Sequence, residues 1–374
     1  MRKRAQLAAF VVSLSVLQAT ALTASLAGAA CVRAADTAGT YKVFIYAGQS
    51  NAQGKAHISI AEAQAEDPAT RDLYAPFRKD GEWIVRDDVF FNYASQGPEG
   101  THGPLKIGMG SHRFGADFRF SWMMGDHFEE PVVIVKCAYG GSALCQAFRP
   151  PSAGLPSDEK LQAQLAAAQA RVKAINERDK RNDPLPTMAD VKKLYGAAYR
   201  DILADYKNVT ENAETLFPEL TGKKPELTGF VWFQGWNDQY GGQDEYASNL
   251  KHFINDMRKD LGVPNLPFVI VAMGQNGSRP AAGAMLTIRD AQMSMNDVPE
   301  FKGNVKAFRS DLLVDEDAER LWTNEDPAIR QRERKEHKYA ADDAYHYYGS
   351  PIWHMRIGLA EGEAMLELLA HQGK

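Results

Sequence analysis

Five short runs along the chain are almost wholly apolar, and each ends on glycine or a small polar residue. Tyr41 to Ala47 ends at Gly48, and Pro131 to Cys137 ends at Tyr139-Gly140-Gly141-Ser142. Leu227 to Phe233 ends at Gln234-Gly235, Leu266 to Met273 at Gly274, and Val305 to Phe308 near Asp311. Such runs, rich in Val, Ile and Phe and lacking a polar face, predict strands of a parallel sheet covered on both sides. Between them apolar positions recur at helical spacing over Phe114 to Phe128, Ser157 to Lys180, Met188 to Tyr206, Tyr246 to Leu261 and Leu359 to His371. Ser157 to Lys160 gives the second of these helices a capped start.

Strands alternating with helices predict a three-layer α/β/α fold, with a doubly wound, mainly parallel, five-stranded sheet. No internal repeat and no Pro- or Gly-rich linker divides it. The expected organisation is a single domain over residues 36–374 with a helical insertion near 155–187. In an open parallel sheet, ligands bind outside the carboxyl ends of the strands. That rule lines up Ser50, Gly140, Gln234 and the pair Gln275-Asn276 along one rim.

The N-terminus follows another pattern. Arg2, Lys3 and Arg4 precede a mostly apolar stretch from Leu7 to Ala30, and small residues crowd before Asp36. This predicts a signal peptide over residues 1–35, cleaved near Ala34 or Ala35, and a secreted or periplasmic protein without stable membrane insertion afterwards. A retained membrane anchor is the alternative. Cys31 after Gly28-Ala29-Ala30 gives a weak lipoprotein signal. Cys137 and Cys145, the other two cysteines, could pair in an exported protein, or Cys137 could be a buried thiol within its apolar run.

The 374 residues are 44% hydrophobic and 24% charged, which is a globular composition. Removing Arg2, Lys3, Arg4 and Arg33 takes the formal charge from −5 to about −9. With no basic block, nucleic acid is not an expected partner, and an acidic chain leans towards neutral substrates. The cysteines lack the clustered histidines of a metal site.

A serine at the end of the first strand can be a nucleophile only if a base takes its proton. Among nine histidines, His346 stands out in Asp343-Ala344-Tyr345-His346. Residues three apart share one side of a helical turn, so Asp343 would orient the imidazole. The order Ser, Asp, His is that of α/β-hydrolases, but Gly48-Gln49-Ser50-Asn51-Ala52 lacks the second glycine of their nucleophile elbow.

Gly48-Gln49-Ser50-Asn51 resembles the first block of the SGNH hydrolase superfamily, and more narrowly its sialate O-acetylesterase-like and acetylxylan esterase branch. Later blocks resemble the same branch: Gly140-Gly141-Ser142, Trp232-Phe233-Gln234-Gly235, Arg289-Asp290-Ala291-Gln292 and Asp343-x-x-His346. The resemblance spans about Tyr41 to Met365. It implies an SGNH, flavodoxin-like fold and a carbohydrate O-acetylesterase that needs no cofactor or metal. Ser50 would be the nucleophile, His346 the general base and then acid, and Asp343 its orienting partner. The oxyanion would be held by the backbone N–H groups of Ser50 and Gly140 and by the Gln234 side chain.

Where the family has Gln-Gly-Glu-x-Asp, this chain has Gln234-Gly235-Trp236-Asn237-Asp238. The same stretch spells the Gly-x-Asn-Asp of other SGNH branches, so Asn237 competes with Gln234 for the oxyanion role; Gln234 is nearer the strand end. Gln49, Asn51, Ser142, Arg149, Trp236 and Asn237 are further candidates for substrate contact. The expected substrate is acetylated xylan or a related glycan. An O-acetylated sialic acid is the alternative within esterases, and a non-catalytic carbohydrate-binding protein is the alternative of another class.

Overall fold

The computed structural model describes residues 39–93, 101–109, 111–275, 277–336 and 342–373, without the side chains of 332–336. The expected signal peptide, Cys31 and Asn276 lie outside these residues.

Strand β1 (Thr40–Gly48) is buried on both faces because its side chains split between two cores. Phe44 and Tyr46 point to one side, and Tyr41, Val43, Ile45 and Ala47 to the other. This is the period-two geometry of a strand, with both sets apolar. The remaining strands of the sheet are β2 (Val89–Tyr93), β3 (Thr101–Pro104), β4 (Val132–Ala138), β5 (Lys224–Phe233), β6 (Phe268–Ala272) and β7 (Val305–Arg309). Their order is β7-β6-β5-β1-β4-β2-β3. All pairings are parallel except β2 with β3.

The five predicted strands therefore form a contiguous block within a seven-stranded sheet. The added pair escapes pattern reading for a physical reason. Val89–Tyr93 is only five residues long and carries Asn92, which interrupts its apolar run, and its partner Thr101–Pro104 contributes no run of Val, Ile, Leu or Phe.

The first core lies between the sheet and two helices, α2 (Ala116–His127) and α8 (Pro351–His371), which also pack on each other. The second core lies under α5 (Ala197–Glu211), α6 (Tyr246–Asp260) and α7 (Gly283–Met293). The helices α3 (Asp158–Asp179) and α4 (Met188–Leu194) share a small separate cluster of Leu161, Val191 and Tyr195. Ser157 Oγ caps α3 by accepting from the Lys160 N–H at 3.3 Å.

Two helix boundaries differ from expectation. The stretch Met188 to Tyr206 breaks at Gly196, where φ is +69° and a Cβ would lie 2.9 Å from the Arg149 carbonyl oxygen. The last helix begins at Pro351, eight residues before the expected Leu359. Proline is compatible with a first helical turn, and Ser350 Oγ accepts from the Trp353 N–H at 3.1 Å. No helix among the described residues is long and apolar enough to cross a membrane.

Candidate active site

Strands β1, β4 and β5 finish level. Gly48 is registered against Ala138 on one side and Phe233 on the other. The Phe233 carbonyl comes so close that a Cβ on residue 48 would sit 2.1 Å from its oxygen. Gln49 donates its N–H to that same oxygen at 3.3 Å, and Tyr139 donates to the Gly48 carbonyl at 2.8 Å. Ser50, Gly140 and the turn from Gln234 to Asn237 thus leave the sheet along one rim. Ser50 opens a short helix, α1 (Ser50–Gln53, numbered here ahead of α2). Its N–H, in the first turn, has no helical acceptor. Gly140 is exposed and lies against the Gln53 side chain.

The buried neighbours of Ser50 tie two loops to it. Gln49 Oε1 accepts from the N–H of Gly235 at 3.1 Å and of Asn237 at 3.3 Å, and its Nε2 donates to Asn237 Oδ1 at 2.9 Å. Asn51 Nδ2 donates to the Tyr345 carbonyl at 3.1 Å, seating the segment that carries His346 against α1.

The imidazole finds a different carboxylate from the one expected. His346 Nδ1 lies 2.8 Å from Asp342 Oδ1, four residues earlier, whereas the Asp343 carboxylate accepts from the Tyr345 hydroxyl at 2.7 Å. Helical spacing fails here because the turn Ala344–Gly349 is not α-helical. His346 has φ −111°, and Tyr347 and Tyr348 have φ +55° and +56°. Such left-handed residues cost energy and persist only where packing fixes them; both tyrosines are buried in the first core. The second Asp342 oxygen accepts from Arg113 Nη1 at 3.0 Å, and the first also accepts from the Asp343 N–H at 2.8 Å. Burial raises the Asp342 pKa, but the hydrogen bonds of His346 and Asp343 and the charges of His346 and Arg113 outweigh it, lowering the pKa to about 2.

Gln234 is held by other side chains. It is buried, and its Nε2 donates to the Ser142 carbonyl at 3.0 Å and to Asp238 Oδ2 at 2.7 Å, which uses both amide hydrogens. Its Oε1 accepts from Tyr246 Oη at 3.0 Å. The side chain therefore braces the rim and has no donor left for an oxyanion. Asn237 is half-buried, and its Oδ1 is held by Gln49, which turns its amide nitrogen away from that bond.

Of the remaining candidates, Ser142 lends its carbonyl to Gln234. Arg149 is buried, and its guanidinium is consumed by Glu245 at 2.7 Å and by the carbonyls of Cys145, Ala153 and Gly154. It supports a loop and does not face the site. Trp236 is half-buried and meets the Tyr345 ring at 5.6 Å. Cys137 and Cys145 are both free thiols.

Several contributors were not anticipated: Asp342, Arg113, Asp238 and Tyr246. Asp342 stands beside Asp343, at the equally helical spacing of four, and that adjacency was the available signal. Asp238 is fully buried and accepts from the N–H groups of Leu144 and Cys145 at 2.8 Å each, fixing the loop after Gly140. The Arg289 to Gln292 element has a visible purpose. Gln292 donates to the Gln234 carbonyl at 2.6 Å, and Arg289 pairs with Asp311 at 3.1 Å.

The sequence profile described as carbohydrate esterase, sialic acid-specific acetylesterase, matches residues 40–176 and 192–325. The chain belongs to this carbohydrate esterase family. A probable carbohydrate esterase of Arabidopsis thaliana is 31% identical over 72 residues, 19% of this chain and 26% of that relative, so the match spans about a quarter of the relative's length. Among solved structures, an Arabidopsis thaliana protein aligns with a TM-score of 0.41 at 15% identity, covering 72% of this chain and 85% of its own. A carbohydrate acetylesterase from Xanthomonas citri gives 0.39 at 15%, covering 73% and 51%. NanS gives 0.39 at 14%, covering 72% and 78%. The family match leaves out residues 177–191, from the end of α3 into α4, and the chain after residue 325, where Asp342, Asp343 and His346 lie.

A cavity of about 180 Å³ adjoins the end of α1, with Gln53, Lys55, Lys106, Arg113 and Lys136 in its wall. Lys136 is paired with the buried Asp117 at 2.8 Å, and Lys55 Nζ donates to Gln53 Oε1 at 3.2 Å.

Proposed function

We propose that this chain is an exported serine esterase that removes O-acetyl groups from glycans. Ser50 Oγ attacks the acetyl carbonyl carbon while His346 Nε2 takes the hydroxyl proton. Asp342 holds Nδ1 of the ring and stabilises the imidazolium. The negative charge that forms on the carbonyl oxygen is met by the N–H groups of Ser50 and Gly140 and by the Asn237 amide. His346 then returns its proton to the departing sugar oxygen, leaving an acetyl ester on Ser50. Water, deprotonated by His346, attacks that ester and releases acetate and the free serine.

The observation that carries this reading is the bond from Asn51 to the Tyr345 carbonyl, because it brings the His346–Asp342 pair to the segment bearing Ser50. Export rests on the N-terminal sequence alone. The test is acetate release from 4-nitrophenyl acetate. Ser50→Ala is expected to lose about 10³-fold or more in kcat. An unchanged rate in that variant, or none in the wild type, overturns the reading.

A second reading, deacetylation of a sialic acid, is favoured by the cationic cavity beside α1. Two of its four cations, Lys136 and Arg113, are already matched by Asp117 and Asp342, which weakens its attraction for a sugar carboxylate. We therefore favour an uncharged acetylated glycan such as acetylated xylan.

A further inference from the structure

Two aromatic rings from different loops meet beside the His346 imidazole. Trp236 comes from the turn after β5, and Tyr345 immediately precedes His346. Their ring centroids are 5.6 Å apart with planes inclined by 34°, and the Tyr345 ring lies 4.4 Å from the imidazole. Tyr345 remains 37% exposed, while Trp236 is half-buried at the rim of the second core. The rings thus form a partly open ledge next to the base.

Each ring is tied to a residue flanking the nucleophile. Gln49 clamps the turn around Trp236 through the N–H groups of Gly235 and Asn237. Asn51 holds the Tyr345 carbonyl, and Asp343 holds the Tyr345 hydroxyl. The ledge is therefore fixed relative to Ser50, as a platform that positions a substrate must be.

The ledge has a chemical preference. An uncharged pyranose presents an apolar face of C–H bonds that can desolvate against aromatic rings while its hydroxyls stay at the edge. A sugar carboxylate would meet the electron-rich ring faces, which repel negative charge.

We propose that Trp236 and Tyr345 form the sugar-binding subsite of this site and take an uncharged pyranose ring of an acetylated oligo- or polysaccharide by stacking. The inference rests on the esterase reading and narrows its substrate class. Trp236 stands where the resembling branch has glutamate, so this subsite is a property of this chain's own sequence.

Binding to the Ser50→Ala protein tests it without turnover, using acetylated xylotetraose and O-acetylated N-acetylneuraminic acid as probes, followed by calorimetry. Acetylated xylotetraose is expected to bind the more tightly. Adding Trp236→Ala or Tyr345→Ala should weaken it about tenfold each, and Trp236→Phe should retain affinity within about threefold. That conservative rescue separates stacking from a loss of fold. Two results overturn the subsite: unchanged xylotetraose affinity in both alanine variants, or tighter binding of the sialic acid that itself depends on Trp236. Acetate release from 4-nitrophenyl acetate by the wild-type protein reads the esterase chemistry separately, so the subsite and the chemistry can fail independently.

Discussion

The Asp342 carboxylate bridges two elements that are distant in sequence: Oδ1 lies 2.8 Å from His346 Nδ1, and Oδ2 lies 3.0 Å from Arg113 Nη1. Arg113 belongs to a two-residue ladder with His57, just beyond α1, so the bridge links the Ser50 side of the rim to the histidine turn. A carboxylate held this way fixes the ring's tautomer and orientation and remains ionised when the imidazole gains a proton.

Asp342→Asn is expected to lower kcat by about 10³–10⁴-fold, because the amide can no longer stabilise the imidazolium. Asp343→Asn keeps an oxygen that can accept from the Tyr345 hydroxyl and should cost less than about tenfold. Parallel kinetics on 4-nitrophenyl acetate decide the matter, and equal losses would restore Asp343 to the role that spacing suggested.

Asn237→Ala should lower kcat by about 10²–10³-fold, with some loss of Tm because the buried Gln49 amide loses its acceptor. Gln234→Ala should behave differently. It removes the donor that the Ser142 carbonyl and Asp238 Oδ2 share, at a cost of about 1–3 kcal/mol, and should show first as a lower Tm. A Gln234→Ala protein of normal Tm but strongly reduced kcat would point back to Gln234 as the donor.

Acid should weaken the fold in two windows. Burial lowers the His354 pKa from 6.5 to about 4, so below pH 6.5 the unfolded chain binds a proton that the folded chain refuses, and stability falls as pH drops towards 4. Asp342 is depressed from 3.8 to about 2, so its contribution is complete above pH 3.8 and is lost as pH falls towards 2. Urea unfolding at a series of pH values should show a shallower slope between pH 6.5 and 4 for His354→Asn than for the wild type. Identical slopes would mean that His354 does not carry this dependence.

Gly48→Ala should destabilise the protein by about 3 kcal/mol or more, since the new methyl meets the Phe233 carbonyl oxygen at 2.1 Å. Chemical denaturation provides the comparison, and a wild-type midpoint would contradict the close approach of β1 and β5 that sets the rim.

The apolar runs were enough to place five of the seven strands, because a strand covered on both faces is apolar along most of its length. They were also enough to put Ser50, Gly140 and the Gln234 turn at strand ends, because a parallel sheet aligns those ends. Val89–Tyr93 and Thr101–Pro104 were not legible, since neither is an unbroken apolar run and their pairing depends on the strand already beside them. Nor could spacing choose between Asp342 and Asp343, or between Gln234 and Asn237. Each pair occupies neighbouring positions in sequence, and the outcome depends on contacts with remote residues. Tyr347 and Tyr348 force the turn that presents Asp342 to His346. Asp238, Ser142 and Tyr246 use up the Gln234 amide, while Gln49 turns that of Asn237. The sequence by itself determined the layers, the rim and the type of chemistry. The tertiary structure alone decided which side chain holds which, because hydrogen-bond direction in a buried site is set by partners far away along the chain.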